Sequence, residues 1–221
     1  TLWVVGLAYL VSVVVALPLG IISAVRQYSL FDQAVTTFAF LGYAIPTFFS
    51  GLLAILLFSI TLHWLPFIYD STVRVTDLPS LWVQIKQIIL PVGVVALSEM
   101  AGLTRFTRSS VLDNLPLDYV RTARAKGLRE KAVILRHVVR NSLIPVITLV
   151  ALGIPGIFTG AIITEQIFRV PGIGELLVRS ITNSDTPVIM AITFVYAALV
   201  VVFNLIADIL YGIADPRIRY D

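Results

Sequence analysis

Apolar residues dominate five long stretches, roughly Leu2–Ala24, Gln33–Leu62, Gln87–Thr104, Leu143–Thr164 and Pro187–Ile209. A hydrocarbon core about 30 Å thick needs about 20 helical residues to cross it, and each stretch meets or approaches that length. Inside lipid the backbone must satisfy its own hydrogen bonds, so these stretches are expected to be helices. The second is long enough to tilt or bend, and Pro46 offers the place. The pattern predicts an all-α polytopic bundle with five spans in a single domain covering residues 1–221. Composition agrees, because 58% hydrophobic and 13% charged residues with a mean hydropathy of +0.94 leave too little polar surface for a soluble domain.

The main polar interruption is RFTRSSVLDNLPLDYVRTARAKGLREKAVILRHVVRNSLIP, from Arg105 to Pro145, which holds nine of the sixteen Lys and Arg residues. Placing it with the Arg26 turn and the tail on one side collects twelve basic residues there against four opposite. By the positive-inside rule Thr1 is then external and Asp221 cytoplasmic. The net charge of +3 lies mostly in this loop and speaks for topology, not for nucleic-acid binding. Local signals predict a short helix over about residues 116–126: Asn114 as cap, Pro116 in the first turn, Asp118 at the positive end and Gly127 as the stop. Tyr119, Val120 and Ala123 share one face, with Arg121, Arg124 and Lys126 towards the other sides. A second helix follows through Ala132, Val133, Leu135, Val138 and Val139, until Pro145 opens the next span. Two readings compete: basic helices resting on anionic headgroups, or a docking helix whose aromatic and small residues fit a partner's groove with Arg around them.

Elsewhere the chemistry is sparse. Trp64, Pro66, Tyr69, Pro79 and Trp82 fall between His63 and Lys86 on the external side, as interfacial anchors or as a contact surface for an extracytoplasmic partner. Pro171, Gly172 and Gly174 imply a tight turn before a short helix. Gly156 and Gly160 permit close packing, and Pro155 makes the fourth span easy to bend. Glu99 lies well inside the third span and should face protein or water, either as a relay or substrate contact or as a structural carboxyl; Glu165 and Asp208 read as interfacial. There is no phosphate-cradling Gly-x-x-x-x-Gly-Lys loop, no Cys, and no zinc-binding pattern around His63 or His137. The apolar start at Thr1 lacks a basic flank, so it is not a signal peptide of the usual form, and an upstream segment is expected ahead of it.

The runs DYVRTARAKGL and RHVVRNSLIPVIT resemble the cytoplasmic loop of ATP-binding-cassette importer permeases, in particular the first permease subunit of the dipeptide, oligopeptide and nickel group. The general family pattern is Glu-Ala-Ala, three residues, Gly, then Leu-Pro about a dozen residues later. This chain has Arg121, Thr122 and Ala123 in place of the acidic start, and a longer gap from Gly127 to Pro145, as in the peptide and nickel subgroup. The resemblance implies a type I importer permease fold, with one further span ahead of Thr1. It also implies a coupling loop over residues 105–142, with Asp118, Tyr119, Val120, Arg121, Thr122, Ala123, Arg124, Ala125, Lys126 and Gly127 docking in a cleft of the ATPase subunit. Pro46, Phe48 and Gly51 match the family's Pro-x-Phe-x-x-Gly and would line the path with Glu99; Asp215, Pro216 and Arg217 resemble the family's Asp-Pro-Arg ending. Implied partners are a second homologous permease, two ATPase subunits that bind ATP while this non-catalytic chain binds no cofactor, an extracytoplasmic solute-binding protein and membrane lipid. The solute, a peptide or a similar small molecule, stays open. A different class, a secondary transporter or channel, would use Glu99 as its coupling or selectivity residue.

Overall fold

The computed structural model of the chain describes residues 1–159 and 161–214, all helices and their connections, with no strand among them. Gly160 and the tail with Asp215, Pro216 and Arg217 lie outside the described residues. In chain order the helices are α1 (Leu2–Val25), α2 (Leu30–Ala44), α3 (Thr47–Thr61), α4 (Leu78–Asn114), α5 (Asp118–Ala125), α6 (Glu130–Phe158), α7 (Ile162–Phe168), α8 (Ile173–Thr182) and α9 (Thr186–Ala214). Four of them are long and apolar enough to cross a membrane, and five spans result if α2 and α3 count as one. Those two are the expected second span, broken at residues 45 and 46 where Pro46 cannot continue the ladder.

The chain divides into two compact units. The first comprises Thr1–Val11, Ala44–Glu99 and Ile154–Val202. Its core joins Val4 and Ala8 of α1 to Leu90, Val94 and Val95 of α4 and to Phe168 and Val170. The connection before α4 is tied down by Tyr69 N–H donating to the Phe168 carbonyl at 2.9 Å, and by Asp70 N–H donating to Gln87 Oε1 at 3.2 Å. Near the end of its span, Glu165 is shielded by protein on all sides. It is fully buried, accepting from the Thr1 hydroxyl at 2.7 Å and from Glu175 N–H at 3.1 Å, with the Pro171–Gly174 turn wrapped over it. A buried carboxylate needs such donors, and the turn into α8 supplies one.

The second unit holds Ser12–Tyr43, Met100–Gly153 and the described residues from Phe203 on. Here α1 crosses α4 so closely that a Cβ on Gly20 would lie 2.7 Å from Thr107 Cβ and 2.8 Å from the Thr104 carbonyl. Among the described residues nothing lies within 4 Å of where a Cβ on Gly156 would be, so they show no close approach there. Two boundaries also move. The first ten residues of the basic stretch continue α4 as far as Asn114, which ends that helix instead of capping the next: its amide donates to the Ser110 carbonyl and its oxygen accepts from the Tyr119 hydroxyl at 2.7 Å. Pro145 opens no new helix, because α6 runs through it and breaks at residues 154 and 155, beside Pro155. A mid-span proline forfeits one rung, a loss that neighbouring groups can absorb in a membrane helix.

Candidate functional site

The short helix α5 forms because three local signals coincide. Asp118 sits in its first turn, Arg124 in its last, and Gly127 follows at φ +75°, a left-handed conformation that only glycine adopts without strain. Gly127 N–H closes the turn on the Arg124 carbonyl at 2.9 Å, and Leu128 N–H reaches back to the Ala123 carbonyl at 3.4 Å. Beyond the turn, Arg124 grips Glu130 with both arms, at 2.8 and 3.2 Å, bracing α5 against the start of α6. That carboxylate raises Arg124 above the ordinary guanidinium value.

The two faces of α5 separate sharply. Val120 and Ala123 are buried with Ala24, Val111, Val133, Ile134, Val138 and Val139, and Tyr119 packs at the edge of this core. Burying Val120 alone contributes about 2 kcal/mol towards holding the helix in place. The expectation that aromatic and small residues fit a partner's groove is thereby corrected: Tyr119, Val120 and Ala123 are occupied within their own chain. The face left exposed carries Asp118, Arg121, Thr122, Arg124, Ala125 and Lys126, flanked by Leu117 and Leu128. Arg121 and Asp118 are 3.7 Å apart and both largely exposed, too weak a pair to hold either side chain.

Behind α5 lies a buried ion pair that sequence reasoning missed. Arg108 on α4 donates to Asp32 of α2 from Nε at 2.7 Å and from Nη2 at 2.9 Å. Asp32, 3% exposed, also accepts from the Ser23 hydroxyl, from Tyr28 N–H at 2.9 Å and from the Thr36 hydroxyl at 3.3 Å. One carboxylate thus fastens the ends of α1 and α2 to α4, ten residues before α5 begins. The spacing Ser29-x-x-Asp32 ahead of an apolar run was a legible helix-start signal, and Ser29 Oγ does accept from Asp32 N–H at 3.2 Å.

The residues grouped as pathway candidates sit in different surroundings within the chain. Pro46 marks the break before α3 and Phe48 is 48% exposed, whereas Gly51 is buried against Ile167 and Phe168 of α7. Glu99 is exposed on α4. Among the described residues no cluster of three or more His, Cys, Asp or Glu side chains is arranged to hold a metal ion.

Spans of this length, with a brace-held cationic helix between two of them, define a polytopic helical membrane subunit. Residues 16–220 match the family described as the binding-protein-dependent transport system inner membrane component, and the chain belongs to that family. It is 47% identical over 220 residues to the oligopeptide transport system permease protein AppB of Bacillus subtilis, covering 100% of this chain and 69% of that one. It is 40% identical to the di/tripeptide transport system permease protein DppB of Pseudomonas aeruginosa, covering 91% and 65%. A putative peptide transport system permease protein of Brucella abortus is 39% identical, with coverage of 97% and 67%. The chain spans about two thirds of the length of these relatives. It is therefore a membrane-spanning transport subunit of the importer permease class.

Proposed function

We propose that this chain is one of two permease subunits of an ATP-driven peptide importer, and that α5 is the element through which ATPase subunits act on it. The observation that carries this reading is the division of α5: an inner face locked into its own core, and an outer face free and cationic, braced by the Arg124–Glu130 pair. A helix merely lying on headgroups would turn its apolar side to the lipid. Here the apolar side is already used, and what remains suits a protein cleft with carboxylates at its rim. Peptides are the cargo named for the relatives, and carrying that name over supplies the substrate class.

In this mechanism ATP closes two ATPase subunits around their own nucleotides and moves their clefts. The helix α5 follows, and because Val120 and Ala123 are embedded beside Val111 of α4 and Val138 of α6, both span ends move with it. An extracytoplasmic binding protein delivers the solute, and the pathway lies between this chain and its companion permease. The basic loop lies in the cytoplasm and Thr1 outside, following the excess of Lys and Arg around α5.

The test is uptake of a labelled tripeptide by proteoliposomes holding both permeases and the ATPases, with receptor supplied. ATP-dependent uptake by the wild type, lost in Arg121→Glu/Ala125→Trp while the assembled permease pair still purifies intact, is the expected result. Uptake that persists without ATP and follows an ion gradient instead would overturn it.

A further inference from the structure

Within the second unit, α2 and α4 enclose a groove of about 550 Å³. Phe40, Tyr43 and Phe106 form its apolar wall, Thr36 and Ser109 add hydroxyls, and Arg105 and Arg108 bring two guanidinium groups. The two arginines are not equivalent. Arg108 is neutralised by both oxygens of Asp32. Arg105 has no carboxylate within ion-pair distance among the described residues; its guanidinium carbon lies 4.4 Å from the centre of the Phe40 ring and 5.6 Å from that of Tyr43.

A guanidinium cannot shed its charge, and an unpaired one at the end of an apolar stretch belongs where an anion or water meets it. The charge of Arg105 lies over the two aromatic rings, and the N–H fork of a guanidinium matches the two oxygens of a carboxylate. With Arg108 spent on Asp32, one positive charge is left over, matching one monovalent anion. The apolar wall beside it makes no demand on sequence.

Resting on the peptide-importer reading, we propose that Arg105, backed by Phe40 and Tyr43, takes the C-terminal carboxylate of the transported peptide. The carboxylate is the one anionic group common to peptides of every sequence, so a site that reads it accepts many cargoes while still giving the cargo a fixed end.

Proteoliposomes containing the complete importer test this with one tripeptide in two forms, a free C-terminal acid and its amide, each at a concentration saturating the solute receptor. The receptor is a separate, unaltered chain, so its own preference cancels when the acid-to-amide uptake ratio is compared between wild type and variants. Arg105→Gln should lower that ratio roughly ten- to a hundredfold, the usual weight of a charge-assisted hydrogen bond, with amide uptake retained as the proof of folding. Arg105→Lys keeps the charge without the fork and should fall between. An unchanged ratio, or an equal fall for both forms, overturns the proposal. If Arg105→Gln instead strips co-purifying anionic phospholipid at an unchanged ratio, the groove holds a lipid headgroup. If the wild type carries neither form under ATP, the peptide-importer reading fails along with the site.

Discussion

Asp32 sets the terms at the scale of single residues. A carboxylate this deeply buried is tolerable only because Ser23, Tyr28, Thr36 and Arg108 all donate to it. Removing one partner of such a pair strands the other. Asp32→Ala should therefore destabilise the permease by about 3 kcal/mol, read as a lower midpoint of thermal unfolding in detergent. Asp32→Ala combined with Arg108→Met should regain most of that loss, since no buried charge remains; a double variant as unstable as the single one would contradict the account. The pair was not legible beforehand, because its members are separated by 76 positions and Arg108 read as one more cation in a basic loop. Glu165 escaped for a related reason: nothing in its neighbourhood announces that a turn will close over it. Gly127, by contrast, was legible as a helix stop, and its positive φ gives the physical reason.

At the scale of elements, the apolar runs and the helix–turn–helix were legible, but their edges were not. The apolar run of the third span ends at Thr104, whereas α4 carries Arg105 and Arg108 onward to Asn114 because aromatic rings and Asp32 receive them. Helices stop where backbone geometry forces them to, at Gly127 and next to Pro155, more than where polarity rises. Two substitutions test the elements. Gly127→Val forces a β-branched residue into the left-handed region, at a cost of at least about 1 to 2 kcal/mol, and loosens the brace between α5 and α6. Uptake should fall severalfold while the amount of assembled complex changes little; unaffected uptake would show that the turn's angle is irrelevant to coupling. Gly20→Val places methyl groups into Thr107 and the Thr104 carbonyl where α1 and α4 cross. Overpacking of this kind costs about 1 to 3 kcal/mol, so a lower thermal midpoint is expected, and an unchanged one would show that the crossing yields easily.

For the whole molecule, the question is what the chain leaves uncovered. None of the membrane-length window of α9 is buried within the chain, and Phe194 is 75% exposed and Val201 68% exposed. Lipid can satisfy such a surface, but in the proposed importer a companion permease covers part of it. A single cysteine at Phe194 should react more slowly with a membrane-permeant maleimide when the companion is co-expressed; an identical rate would remove α9 from that interface. Polytopic class and family were legible in the whole sequence because lipid leaves the backbone few choices and α5 is local in sequence. Which face of α5 points outward was not, since that depends on Val111, Val133 and Val138 meeting it from other helices.

The most direct measurement uses the absence of native cysteine in this chain. Single cysteines placed at Thr122 and Ala125 on the open face of α5, and at Trp64 in the connection before α4, would be cross-linked in membranes to an ATPase subunit carrying one cysteine in its cleft. Cross-links from Thr122→Cys and Ala125→Cys that change in yield when ATP is added, with none from Trp64→Cys, are the predicted result. No cross-link from either α5 position in an assembled, ATP-hydrolysing complex would contradict the claim that this helix couples ATP to transport.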